Sequence, residues 1–148
     1  MTDVLFYHLE SQPLERVLPT LLEKTLERGW RAVVETSSRE RASAIDALLW
    51  TYRDDAFLPH GIAGDESEAD QPVLIAMDAQ NANAANVRFY VDRAVPSSAE
   101  GYERIVFMFS GHDPDAVTEA RVAWKGLLAG NTLTYWQQDA TGRWVKKA

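Results

Sequence analysis

The chain of 148 residues contains no cysteine, which removes disulfides, thiol catalysis and thiolate-bound zinc together and suits a reducing compartment. It also lacks long apolar runs. The longest span only a few residues, far short of the ~20 that a membrane helix needs. The opening MTDVLFYHLESQPLE has neither the basic start nor the apolar centre of a signal peptide,. No membrane role and a cytoplasmic location are therefore expected. Glycine is sparse where a nucleotide would require it. The first strand-to-helix turn reads His8-Leu9-Glu10-Ser11-Gln12-Pro13, with no residue that lets backbone approach a phosphate and with Glu10 set to repel one,. No Gly-Lys-Ser/Thr occurs, and Gly61 and Gly64 do not follow a strand in the required way.

Histidine is equally scarce. His8, His60 and His112 are the only three, no pair has metal spacing on a helix, and no serine sits in a nucleophile elbow. Each reads as a loop or strand-end residue. A small hydrolase assembling His8 and His60 at the sheet edge is the enzyme alternative. The acidic connection from Asp54 to Gln71 lacks the spacing of a calcium loop and reads as a solvated loop,. No metal and no cofactor are expected.

Positive charge is short overall, with a formal net of −7. Residues 113–148 hold five Lys/Arg against four acids, a net of +1 that leaves −8 on the first 112. Phosphate neutralisation gains little from such a surface, so broad nucleic-acid binding is not expected. A direct single-strand binder using surface tryptophans survives only as an alternative.

What is present describes one α/β domain over residues 1–148. Asp3–Leu9 is a compact apolar strand. Leu14, Val17, Leu18, Leu21, Leu22 and Leu26 form one face of a helix that Gly29 ends, and Pro19 is expected to kink it or delay its regular part. A strand at Arg31–Thr36 precedes a helix opened by a Ser37/Glu40 capping box and carrying Ala42, Ile45, Leu48, Leu49 and Tyr52 on one side. Strands follow at Val73–Met77, Val87–Asp92 and Arg104–Phe109. Asp113-Pro114 caps a helix to about Leu128, and TLTYWQQDATGRWVKK reads as a hairpin turning near Ala140–Gly142. The order implies a Rossmann-like three-layer domain, its sheet mostly parallel with a C-terminal hairpin, and no nucleotide site.

Five tryptophans are many for this length. Trp50 falls off the apolar stripe of its helix, so it is either covered by a neighbouring loop, with Phe57 as the cover, or offered with Phe57 to a partner. In the last helix Val117, Trp124 and Leu128 share a stripe, with Arg121 beside it and Lys125 on its shoulder. Core packing with solvated charges is one reading. A hydrophobic socket with a basic rim, fit for an acidic peptide with an apolar end, is the other. Trp136 and Trp144 are expected to cover the sheet.

The strand DVLFYHL, the segment ALLWTYRDDAFLPHGIAGD and the tail from EARVAWKGLLAGNTLTYWQQ to GRWVKKA resemble the DNA polymerase III chi subunit family, in particular its proteobacterial branch. The resemblance covers essentially the whole chain. It implies a non-catalytic accessory subunit of the clamp loader during DNA replication, in a fold of nucleotide-binding topology without a nucleotide. It implies that the acidic, phenylalanine-ended tail of single-stranded-DNA-binding protein is held by Arg121, Trp124 and Lys125, with Val117 as an apolar wall. It further implies a second surface at Trp50 and Phe57 for the psi subunit or a helicase, with nucleic acid engaged only indirectly.

Overall fold

The computed structural model describes residues 2–53, 58–78, 80–96 and 99–148. Alternation in the first strand, β1 (Thr2–Leu9), sends Val4 and Phe6 to one side and Tyr7 and Leu9 to the other,. Helix α1 (Leu14–Glu27) buries Val17, Leu18 and Leu22. It runs through Pro19 as one element and starts at Leu14, so the proline does not delay it. Gly29 ends it at φ 78°, and the Trp30 N–H closes back on the Thr25 carbonyl at 3.2 Å,.

Strand β2 (Ala32–Glu35) leads to α2 (Arg39–Thr51), which buries Ala42, Ile45 and Leu49. The N-cap is Ser38, whose side chain accepts the Arg41 N–H, and not the Ser37 of the expected capping box. Thr36 explains the one-residue shift: its hydroxyl donates to the Ser38 carbonyl at 2.8 Å, holding the turn one residue longer. The acidic connection is more than a solvated loop. It contributes a two-residue strand β3 (Gly61–Ile62), a 3-10 turn at Glu68–Asp70, and the buried Leu58 and His60.

Strands β4 (Val73–Ala76), β5 (Val87–Tyr90) and β6 (Arg104–Ser110) precede α3 (Pro114–Leu127), β7 (Asn131–Gln138) and β8 (Trp144–Lys146). Asp113 caps α3 by accepting the N–H groups of Asp115 and Ala116, with Pro114 in the first turn,. The sheet order is β3-β4-β2-β5-β6-β1-β7-β8. Every pairing is parallel except β7 with β8. The fold class is thus the α/β architecture expected from the sequence, with its mostly parallel sheet and terminal hairpin.

The two faces are covered differently. Helices α1 and α2 pack on the face carrying Val34, Val87, Phe89, Val106 and Met108, where Trp144 also sits edge-on against Tyr7 at 4.9 Å. On the other face α3 covers only the half with Val4, Phe6, Ile105 and Phe107. The remaining half, with Val33 and Leu74, lies beneath the connections that join β4 to β5 and β5 to β6. Neither of these contains a helix among the described residues.

Arg88 organises that helix-free half. It points from the middle of β5 and is 1% exposed. Its Nη2 reaches Glu35 at 2.5 Å, and its Nη1 donates to the Gln80 carbonyl and the Tyr102 hydroxyl, each at 2.9 Å. A further bond goes to the Asp78 carbonyl. One guanidinium thereby ties β2, β5 and both long connections together. Removing one partner of a buried ion pair leaves an uncompensated charge. Arg88→Met should therefore lose about 3 kcal/mol or more of stability in urea unfolding, and Glu35→Gln added to it should restore part of that loss.

Candidate functional site

Parallel α/β sheets bind ligands at the C-terminal strand ends, where neighbouring connections leave in opposite directions. Here β1 lies between β6 and β7, and a cleft of about 470 Å³ opens at that edge, lined by Leu9 to Glu15, Asp92, Arg93, Phe107 to Ser110, His112, Asp113, Ala116 and Glu119. Three consecutive backbone N–H groups of the β1–α1 turn converge there, those of Glu10, Ser11 and Gln12. Such a nest is an anion site when empty. Instead the amide oxygen of Gln138 accepts all three, at 3.2, 3.1 and 3.0 Å, while its amide nitrogen donates to Gln12 Oε1 at 2.9 Å. The second phosphate-binding element of this fold, a helix N-terminus, is taken as well, because Asp113 occupies that of α3,. Arg93 beside the cleft pairs with Asp113 at 3.1 Å and with Glu119. The place where a nucleotide would sit is filled with the protein's own acceptors.

The residues that the sequence singles out on α3 do share one face. Val117 and Trp124 are half-buried, while Arg121 and Lys125 are exposed. The Trp124 indole meets Phe6 edge-on at 5.2 Å and Tyr135 at 5.9 Å. It is therefore both a core residue and a surface one. Leu128 continues the stripe and is 53% exposed. Arg41, Arg53, Arg88 and Arg93 all pair with carboxylates, but among the described residues no carboxylate lies within ion-pair reach of Arg121 or Lys125. Trp124 and Leu128 thus form an apolar strip, with two cations that have no carboxylate partner at its edge.

Two residues of this neighbourhood were not singled out from the sequence as part of it. Tyr135 on β7 stands beside Phe6 of β1 in the sheet register and stacks with it at 6.2 Å. Its hydroxyl is 2.6 Å from His8 Nδ1. The signal that could have found them is the two-residue period shared by β1 and β7, which puts Phe6, His8, Leu133, Tyr135 and Gln137 on the face beneath α3.

The second singled-out surface lies elsewhere. Trp50, near the C-terminus of α2, is 56% exposed and sits with its ring 4.9 Å from that of His60. His60 is buried beneath it, with Nδ1 2.7 Å from the Leu58 carbonyl and Nε2 3.0 Å from Asp46 Oδ1. Phe57 lies outside the described residues. His8 and His60 are not brought together. His8 lies near the C-terminal end of β1 and His60 just before the start of β3, strands five positions apart in the sheet, roughly 24 Å at ordinary strand spacing,. That geometry removes the hydrolase built on the pair. No cluster of three or more metal-ligating side chains occurs among the described residues, and no helix there is long and apolar enough to cross a membrane.

Comparison with known proteins bears on the same residues. The family model described as DNA polymerase III chi subunit, HolC, matches residues 1–132. The chain belongs to the DNA polymerase III chi subunit family. A probable chi subunit of Rickettsia prowazekii (strain Madrid E) is 30% identical over 87 residues, 59% of this chain and 53% of that protein. The chain thus aligns with about half the length of that relative. The chi subunit of Pseudomonas aeruginosa PAO1 is 28% identical over 108 residues, 71% of this chain and 75% of that one. Among solved structures, the C-terminal domain of the DEAD-box protein Dbp5 superposes with a TM-score of 0.53 at 12% identity, covering 90% of each chain. That likeness is one of fold. The matched span includes β1, α2 and all of α3, so both singled-out surfaces fall inside the chi family match.

Trp50 and Trp124 differ in what they support. Trp50→Ala removes a largely exposed ring and should cost less than about 1 kcal/mol, whereas Trp124→Ala undercuts Phe6 and Tyr135 and should cost about 1.5–2.5 kcal/mol, half of a full core truncation,. Equilibrium urea unfolding measures both. Equal losses would show that Trp50 is a core residue.

Proposed function

We propose that this chi subunit is a non-catalytic adaptor that links the clamp loader of DNA polymerase III to single-stranded-DNA-binding protein, by seating that protein's acidic, phenylalanine-ended tail on α3. The observation that carries the reading is the pair of cations without carboxylate partners, Arg121 and Lys125, on either side of the half-buried Trp124. Val117 forms an apolar wall at one end of the strip. The exposed Trp50, with Phe57, serves as a separate docking surface for the psi subunit or a helicase. Two surfaces on one small body raise the local concentration of one partner near the other, and no reaction is needed. DNA is engaged through the partner only, since a protein with a net charge of −7 gains nothing from phosphate,. The adaptor works in the cytoplasm, where replication takes place.

Titration calorimetry with an acidic peptide ending in phenylalanine tests the site. Loss of an aromatic anchor commonly costs about 2 kcal/mol, so Trp124→Ala should bind at least ~30-fold more weakly while circular dichroism shows it folded. Arg121→Ala should weaken binding less and flatten its dependence on salt. Unchanged affinity in a folded Trp124→Ala protein would remove the tail from α3.

A further inference from the structure

Beneath the α3 strip lies a chain of polar contacts that neither core packing nor the cleft requires. Tyr135, against which Trp124 rests, has its hydroxyl 2.6 Å from His8 Nδ1. The other nitrogen of the ring, His8 Nε2, lies 2.8 Å from Glu10 Oε1. Glu10 is itself fixed, because Gln137 Nε2 donates to the same oxygen at 3.1 Å and Gln138 holds its backbone N–H. Gly111 roofs the pair. A Cβ there would stand 2.1 Å from His8 Nε2 and 2.8 Å from Glu10 Oε1, so any larger residue would push against both members of the pair. From the remaining elements, Phe109 of β6 packs its ring 5.2 Å from that of His8, and His112 places Nε2 2.6 Å from the Glu10 carbonyl and 3.9 Å from its carboxylate. Arg121 of α3 lies close enough for its charge to act on both His8 and Tyr135.

Proton positions in this row follow from its ends. In the tautomer with the proton of a neutral His8 on Nε2, 2.8 Å from the Glu10 carboxylate, Nδ1 is the acceptor for the Tyr135 hydroxyl. The phenol hydrogen then points at the ring, and a neutral His8 leaves the Glu10 charge uncompensated. When the ring gains a second proton from solvent, Nδ1 becomes a donor to the phenol oxygen. The Tyr135 hydrogen is released to donate outward, and the new imidazolium cancels the Glu10 charge.

Resting on the tail-site reading above, we infer that Tyr135, His8 and Glu10 form the inner end of the peptide socket, and that protonation of His8 switches it from an anion-repelling to an anion-accepting state. Both consequences of the proton favour an acidic peptide beside Arg121. The sign follows from linkage. Burial, the leading cause, holds His8 below its ordinary 6.5 even though Glu10 acts to raise it, so the ring is neutral at pH 7.5. A bound anion stabilises the imidazolium and raises its value. Binding therefore takes up a proton, and affinity grows as pH falls from about 7 to 5.

The test is calorimetry of the acidic, phenylalanine-ended peptide on the full chain at pH 8.0 and pH 5.0, and at pH 6.5 in two buffers of different ionisation enthalpy. Wild type should bind about five-fold or more tightly at the lower pH, and the buffer pair should reveal fractional proton uptake. His8→Gln keeps a hydrogen-bonding side chain but cannot titrate; it should abolish both the pH slope and the proton uptake. His112→Gln should leave both in place. A flat wild-type profile, a slope retained in His8→Gln, or a slope lost in His112→Gln each overturns the relay. The Trp124→Ala titration reads the tail site independently, so a peptide that still needs Trp124 but binds equally at both pH values sinks the relay alone. A peptide that ignores Trp124 sinks the tail site and takes the relay with it.

Discussion

The amide oxygen of Gln138 is the small contact on which most of the molecule's behaviour depends. Three consecutive N–H groups of the β1–α1 turn point at it. Left empty in a buried setting, those donors would cost about 1–3 kcal/mol each or would recruit an anion. By filling the nest from the end of β7, the side chain turns a ligand site into a structural joint. It also fixes Glu10, whose carboxylate faces His8, whose ring in turn holds Tyr135 under α3. The turn at the strand ends is thus closed by the protein's own amide, and the polar row from Glu10 through His8 to Tyr135 runs from it towards α3.

Arg88 does the corresponding job on the opposite side of the sheet's centre. Parallel strands are ordinarily linked by helices that cover their faces, yet the β4–β5 and β5–β6 connections cover theirs with irregular chain. Irregular chain brings unpaired backbone groups, and buried ones must be satisfied. Arg88 serves two carbonyls there. Asn83, also buried, donates to the Ala32 and Gln71 carbonyls, and Asn81 bonds the Ala85 backbone in both directions. The asparagine-rich stretch QNANAAN, residues 80–86, is therefore a layer of side-chain donors and acceptors standing in for a helix. One consequence is economy of length, since two crossovers are made with few residues.

What could be read from the chain alone follows the strength of local signals. The order of strands and helices, the ends of α3 and the terminal hairpin were legible, because periodicity and capping residues act within a few positions. The absence of a phosphate loop was legible too, but its replacement was not. Gln138 lies 126 residues from Gln12, and nothing local marks its side chain as the filler. The same distance hid the His8–Tyr135 contact. Strand β3 escaped because two residues carry no period, although Gly61 has a reason to be glycine: a Cβ there would come 2.8 Å from Gln71 Cγ. The shift of the N-cap from Ser37 to Ser38 turned on a single hydroxyl, that of Thr36. On α3 the sequence put Val117, Arg121, Trp124 and Lys125 on one face correctly but could not choose between core and socket for Trp124. The indole packs on Phe6 and Tyr135 and keeps the rest of its surface exposed, which leaves room for either role.

The proposed role sets an electrostatic puzzle, since a chain of net charge −7 is asked to hold an acidic peptide. Screening resolves it. At physiological ionic strength, charges beyond about 8 Å contribute little, so an incoming tail responds to Arg121 and Lys125 and hardly to the acidic remainder. Recognition under those terms rests on contact, with the apolar strip of Trp124 and Leu128 supplying what long-range steering does not. Under the proposed role the acidic bulk also disfavours settling on bare DNA, since a net charge of −7 repels phosphate,. Placement of the surfaces fits the same logic: α2, with Trp50, and α3 pack on opposite faces of the sheet, so a partner on one leaves the other open. Simultaneous occupation is the condition for a tether to gain from effective concentration, and a sheet between the two sites meets it without any moving part.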